Sequence, residues 1–239
     1  MNQHSTPGTV APESARAAVL FDLDGTLLDT APDFIRCLNQ LRTELAMAPL
    51  PPQALRNAVS NGARAMVEVG FGLVPEDADY TERHTAFLDL YEAGIAVETR
   101  LFPEMESVLE WLESRQIPWG IVTNKPARFT VPLLRALELD QRCAVAICPD
   151  HVSQRKPHPE AMYLACRQIG ADPGACVYVG DHRRDIEAGR NAGMITVAAS
   201  YGYIESPAEI TAWEPDHIVH SPTGLADLLK ILLPAENQT

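Results

Sequence analysis

The stretch that most restricts how this chain can fold is Ala17-Ala18-Val19-Leu20-Phe21, an apolar run that passes directly into Asp22-Leu23-Asp24-Gly25-Thr26. A run this short and continuous suits a central parallel strand covered on both faces, not an alternating edge strand. Asp22 then falls at the strand's carboxyl end, which in open α/β sheets faces the crevice where ligands bind. Two carboxylates there are costly to bury unless a cation or hydrogen-bond donors compensate them. An isolated Asp-Gly is more commonly a turn; the rest of the chain decides against that simpler reading here.

Downstream the pattern changes period. Asp29 or Thr30 caps a helix with Pro32 and Asp33 in its first turn and Phe34, Leu38, Leu41 and Leu45 at helical spacing. As far as Thr99 only helical patterns follow, over residues 52–69 and 75–93, with Gly70-Phe71-Gly72 between them. Strands and helices then alternate: helix 103–115, strand 117–123, helix 126–137, strand 144–148, helix 158–169, strand 175–179, helix 184–192 and strand 195–199. A short strand at 217–219 and a helix at 223–233 close the chain. The order predicts an α/β fold, a doubly wound, Rossmann-like parallel sheet core with an inserted all-α cap domain. Residues 17–29 and 100–239 are expected to form the core, 30–99 the cap and 1–16 a disordered tail.

Composition narrows the partners. With 19 Lys+Arg against 32 Asp+Glu the net charge is −13, which argues against nucleic acid or an anionic membrane as the main partner. The first sixteen residues lack the apolar run of a signal peptide, and no later segment is apolar for long enough to span a bilayer, so a cytoplasmic protein is expected. Cys37, Cys143, Cys148, Cys166 and Cys176 are odd in number and include no C-x-x-C pair, which favours free thiols over disulfides or zinc. A monomer and a homodimer both remain open.

Four segments carry the chemistry. Asp22-Leu23-Asp24-Gly25-Thr26-Leu27-Leu28-Asp29-Thr30 resembles the first signature of the haloacid dehalogenase superfamily, phosphatase branch. Ile121-Val122-Thr123-Asn124, Lys156-Pro157-His158-Pro159 and Gly180-Asp181-His182-Arg183-Arg184-Asp185 resemble its second, third and fourth, each at an expected strand end or helix start. The resemblance implies that Asp22 is a nucleophile forming an aspartyl-phosphate and Asp24 the general acid and base. It further implies that Thr123, Asn124, Gly25 and Lys156 bind phosphate, Lys156 also steadying the nucleophile. Mg²⁺ is implied on Asp22, Asp181 and the Asp24 carbonyl, with Asp185 either a direct ligand or a group orienting metal-bound water. The chemistry is coherent: a carboxylate can attack phosphorus when a cation offsets its repulsion from the phosphate, and a second carboxyl can protonate the leaving oxygen. His182 departs from the pattern, since many relatives carry a small residue there, and is expected either behind the metal ligands or at the substrate's edge.

Dehalogenases of the superfamily lack the second aspartate, so Asp24 points away from them. Sugar-phosphate mutases keep it, but Ser60-Asn61-Gly62-Ala63-Arg64-Ala65-Met66 has only part of a mutase-type loop, and hydrolysis of a small phosphate ester is preferred. Asn61, Gly62 and Arg64 are the expected specificity contacts. Asp29-Thr30-Ala31-Pro32-Asp33-Phe34, the loop at 61–66, Cys148-Pro149-Asp150-His151-Val152 and Tyr201-Gly202-Tyr203-Ile204 resemble the N-acetylmuramic acid 6-phosphate phosphatases, with phosphoglycolate phosphatases the alternative group. Both substrates pair a carboxylate with the phosphate ester, and an arginine such as Arg64 can bind a carboxylate bidentately.

Overall fold

The computed structural model describes residues 16–204 and 206–234. The expected tail lies outside these residues except for Arg16, whose carbonyl accepts from the Asp172 amide at 3.1 Å.

Strand β1 (Val19–Phe21) is fully buried. It lies between β4 (Trp119–Val122) and β6 (Val177–Gly180) in a six-stranded sheet whose order is completed by β5 (Val145–Ile147), β7 (Ile195–Ala199) and β8 (His217–Val219) as β5-β4-β1-β6-β7-β8. Every pair is parallel. The chain winds outward from β1 in both directions, so the carboxyl ends of β1, β4 and β6 adjoin where the strand order reverses, the usual place for a ligand in such sheets. Side chains alternate across β1: Val19 and Phe21 join the larger core, while Leu20 joins a second cluster with Met162 and Tyr178. Helices α5 (Met105–Ser114) and α10 (Pro222–Leu232) supply the first face, and α7 (Glu160–Ile169) and α8 (Arg183–Asn191) the second.

The insertion leaves and rejoins the core through a two-stranded antiparallel ribbon absent from the sequence reading, β2 (Leu28–Asp29) against β3 (Arg100–Leu101). Between them lie α1 (Ala31–Glu44), α2 (Pro52–Arg56), α3 (Gly62–Phe71) and α4 (Tyr80–Ala93), an all-α cap. Thr30 stands at the start of α1 but makes no side-chain cap; its hydroxyl turns to Asp24 at 2.7 Å. Asp33, also expected to serve that helix start, instead accepts from the Thr99 amide and hydroxyl at 2.9 and 2.7 Å and from Arg36 at 2.8 Å, tying the end of the insertion to its beginning. The single helix predicted over 52–69 is broken. Residues Asn57–Asn61 form a 3₁₀ turn and Gly62 takes a φ of 76°, a left-handed value that favours glycine. That break turns Ser60 toward the sheet. The short α9 (Pro207–Ala212) was also unforeseen.

Among the described residues the five cysteines are free, Cys143 partly exposed and the others buried. No helix among them is long and apolar enough to cross a membrane.

Candidate active site

The floor of the site forms where three strand ends and one loop meet. Asp22 leaves β1 with its amide bonded to the Val179 carbonyl at 2.8 Å. Lys156, 2 % exposed, comes from the loop before α7 and sets its ammonium 2.9 Å from Asp22 Oδ1 and 2.7 Å from Asp185 Oδ1. The same ammonium donates to the Val122 carbonyl at 2.8 Å and the Tyr178 hydroxyl at 2.7 Å. Four neighbours already outnumber its three protons, so Lys156 must give up present contacts before it reaches a phosphate oxygen. Asp181 follows β6 and accepts from Thr26 Oγ1 at 3.2 Å, the Tyr203 amide at 2.9 Å and the Ser60 hydroxyl at 3.2 Å, so the cap touches the floor directly. Arg184 in turn donates to the Ser60 carbonyl.

Asp22, Asp181 and Asp185 are all buried, and each offers an oxygen within 4.8 Å of the others. Burial, with Asp22 and Asp185 nearby, pushes the Asp181 carboxyl up to about 7. Burial and Asp22 likewise raise Asp185, whereas at Asp22 the desolvation cost is outweighed by Lys156 and Arg184 and its carboxyl is held low. A cluster of hard oxygen donors carrying more negative charge than its single lysine offsets is suited to a divalent cation such as Mg²⁺. The Asp24 carboxylate lies outside this group of three.

Close approach makes two glycines necessary. A Cβ on Gly25, whose φ is 83°, would stand 2.2 Å from Asp181 Oδ2, and one on Gly180 would stand 2.3 Å from the Asp185 Cβ. Gly25 corrects the sequence expectation: its amide donates to the Leu28 carbonyl at 3.0 Å and is not free for phosphate, so it serves by letting Asp181 approach. Thr123 and Asn124 do line the cavity. Thr123 Oγ1 accepts the Lys125 amide at 3.1 Å and can still donate its proton, while the Asn124 side chain braces the Lys156 carbonyl at 3.1 Å. Asp185 completes a capping box at the start of α8, accepting the His182 amide at 3.0 Å, and so joins the acidic cluster and the helix start at once. His182 caps the same helix through Nδ1, accepting from the Arg184 amide at 3.2 Å. Burial and Arg184 depress it to about 4, so it is neutral near pH 7 and its ring stacks on Trp213.

Lys125 escaped the sequence reading. Its buried ammonium lies 2.9 Å from Asp24 Oδ1 and stands over the rings of Phe34 and Tyr91 at 4.6 and 4.7 Å. Burial opposes its charge, but Asp24 and Tyr91 raise its pKa regardless. The available signal was position: it follows Thr123-Asn124 directly.

The floor opens into a cavity of about 550 Å³ between sheet and cap. Asn61, Gly62 and Arg64 line it, and so do Arg128, Arg155, Arg184 and His84, which sequence reasoning missed. In an acidic protein this one space gathers six cationic side chains and two carboxylates, Asp22 and Asp24. Two polar atoms buried in its lining residues, the Tyr91 hydroxyl and Arg184 Nε, have no hydrogen-bond partner among the described residues.

A parallel α/β core with a carboxylate at its switch point, a buried lysine beside it and a helical cap above defines a class of capped hydrolases. Residues 19–199 match the family described as haloacid dehalogenase-like hydrolase. The chain is 44 % identical over 212 residues to the N-acetylmuramic acid 6-phosphate phosphatase of Pseudomonas aeruginosa, covering 89 % of this chain and 94 % of that one. It is 42 % identical over 217 residues to the phosphoglycolate phosphatase of Xanthomonas campestris pv. campestris, covering 87 % and 94 %. A crystal structure of a predicted phosphoglycolate phosphatase from Haemophilus somnus 129pt superposes with a TM-score of 0.76 at 27 % identity, covering 90 % of this chain and 96 % of that one. The chain belongs to the haloacid dehalogenase-like hydrolase family, and its relatives place it among that family's phosphatases.

Proposed function

We propose that the protein is a Mg²⁺-dependent phosphomonoester hydrolase that works through an aspartyl-phosphate on a small carboxylate-bearing ester, with N-acetylmuramic acid 6-phosphate the preferred candidate. One observation carries this reading: Asp22 ends the central strand 2.9 Å from the Lys156 ammonium, in a cluster with Asp181 and Asp185, facing a cavity that Asp24 also lines.

In this reading an Asp22 oxygen attacks phosphorus, the ester P–O bond breaks and Asp24 gives its proton to the departing alkoxide. Asp24 then takes a proton from water as that water attacks the aspartyl-phosphate, releasing inorganic phosphate and restoring Asp22. Thr123, Asn124 and Lys156 hold the phosphoryl oxygens. Thr30 and Lys125 fix the Asp24 carboxyl in place through its Oδ1. A Mg²⁺ held by Asp22, Asp181, Asp185 and the Asp24 carbonyl would supply the charge that lets an anionic nucleophile approach an anionic phosphate. Residues 30–99 act as a cap that closes on a core of 17–29 and 100–239, excluding bulk water while the leaving group departs. The Ser60–Asp181 contact supports that role.

The two relatives differ by only two points of identity, so the choice of substrate rests on the cavity. Its volume of about 550 Å³ falls within the range of pockets that enclose larger organic ligands, and a two-carbon acid would leave most of it to water. That favours the sugar acid over 2-phosphoglycolate, which remains the alternative; a sugar-phosphate mutase comes third. Parallel initial rates under Mg²⁺ with N-acetylmuramic acid 6-phosphate, 2-phosphoglycolate and hexose phosphates test the order. A rate on the muramic ester no better than on plain hexose phosphates removes the substrate assignment, and no phosphate release from any ester removes the reaction.

A further inference from the structure

The cavity's positive charge is spread unevenly. Lys125 and Lys156 are buried and paired with carboxylates, and Arg184 is bonded to the cap. Arg64, Arg128 and Arg155 are exposed and make no salt bridge among the described residues. Of these three, Arg128 is the best prepared to take an anion. It is the second residue of α6 (Ala127–Ala136), held in place where the Asp150 carboxylate accepts the Ala127 amide at 2.8 Å and anchors the start of the helix. Its guanidinium stands 4.3 Å from the centre of the Phe129 ring, which restrains a side chain that would otherwise lose freedom on binding. Because α6 belongs to the core, the position of Arg128 relative to the nucleophile does not depend on how the cap closes. Arg64 rides on the cap, and Arg155 has no ring to hold it among the described residues.

Across the cavity, His84 of α4 faces this arginine with its ring stacked on Tyr80 at 5.4 Å between centres. Burial and the nearby Arg128 lower its pKa, so near pH 7 it is an uncharged imidazole, one nitrogen donating and the other accepting. A neutral ring does not compete with Arg128 for an anion and suits a hydroxyl or amide. Leu88, half-buried on the same face of α4, adds an apolar contact one turn further on.

We propose that Arg128 on the core and His84 on the cap form the distal subsite that selects the substrate, Arg128 pairing with its carboxylate and His84 with a neutral polar group of the same molecule. This rests on the phosphatase reading above and deepens it: the acid group is recognised from the core side, and Arg64 is not its main partner. Two esters isolate the carboxylate, N-acetylmuramic acid 6-phosphate and N-acetylglucosamine 6-phosphate, which differ by the lactyl acid. The ratio of their kcat/KM values is measured for the wild-type holoenzyme and for Arg128→Ala, Arg128→Lys, Arg64→Ala and His84→Ala, with folding checked by Tm. Arg128→Ala is expected to cut the preference for the acid roughly 10- to 100-fold, the worth of one charge-assisted hydrogen-bonded pair. Arg128→Lys should restore part of it, and His84→Ala should raise KM for both sugars while leaving most of the preference. A preference that survives Arg128→Ala and collapses in Arg64→Ala overturns the subsite and leaves the phosphatase standing. A wild-type enzyme that turns over both esters without preference removes both carboxylate recognition and the subsite. One that releases phosphate from neither removes the reading on which they rest.

Discussion

The two ends of one cavity are built on opposite terms. At the floor the charged groups are buried or half-buried and cross-tied: Lys156 touches four acceptors, Asp181 takes donors from three segments, and Asp24 shares one oxygen between Thr30 and Lys125. At the rim Arg64, Arg128 and Arg155 are exposed and unpaired among the described residues, and His84 is half-buried and neutral. The floor fixes geometry before substrate arrives, which is what transition-state stabilisation requires, because polar groups already in place need no reorganisation at the moment of reaction. The rim leaves its charges to be satisfied by the ligand, which is what discrimination requires, because the wrong ligand leaves them unsatisfied.

Breaking the floor should give the largest effects. Asp22→Asn keeps the shape and removes the nucleophile, and kcat for any phosphomonoester should drop by at least about 10⁴-fold; retention of more than a few per cent of activity would end the covalent mechanism. Chelation with EDTA should abolish turnover in the wild type, and added Mg²⁺ should restore it.

The hinge that joins the two regions comes next. Asp33 is fully buried, and bonds from Arg36 and Thr99 outweigh the desolvation cost and hold its carboxyl below the usual carboxylate range. Its stabilising share is therefore present above about pH 4 and lost as pH falls through its folded-state value. Asp33→Asn should cost about 2–3 kcal/mol in urea unfolding at pH 7, a loss that shrinks toward zero in acid; a penalty independent of pH would refute the charge-based account.

Lys125→Met tests whether the floor extends to Asp24. The substitution preserves the apolar stem against Phe34 and Tyr91 and removes the cation, so kcat should fall about 10- to 100-fold with KM changed much less. If KM alone rises, Lys125 belongs with the rim. The smallest effect is expected for Ser60→Ala, which deletes the hydroxyl that passes from the cap to Asp181. A three- to tenfold loss in kcat/KM, about 1 kcal/mol, is anticipated, and no loss at all would show that the contact does not couple the two regions.

Much of this was readable before coordinates. The boundaries of β7 and β8 match the expected ranges, and the other core strands and helices fall within a few residues of theirs. The reason is chemical: fully buried parallel strands must be continuous apolar runs, and where each run ends in Asp22, Thr123 or Asp181 the polar residue announces the edge that binds ligand. The cap was less legible. Its helices bury one stripe each, and nothing local distinguishes a continuous helix over 52–69 from one broken at a 3₁₀ turn before Gly62. The β2–β3 ribbon escaped because two residues per strand carry no period.

The sequence by itself therefore determined the succession of the six sheet strands, because parallel topology obliges their ends to meet at one edge whatever packs above them, and its resemblance to known motifs singled out the acids and lysine of the floor. Only the tertiary structure decided that Lys125 serves Asp24, that Ser60 reaches Asp181, that Gly25 gives room and no phosphate bond, and that Arg128 faces His84. An arginine on a helix surface looks the same in sequence whether it points at water or into a cavity, and only the packing of cap on core separates the two.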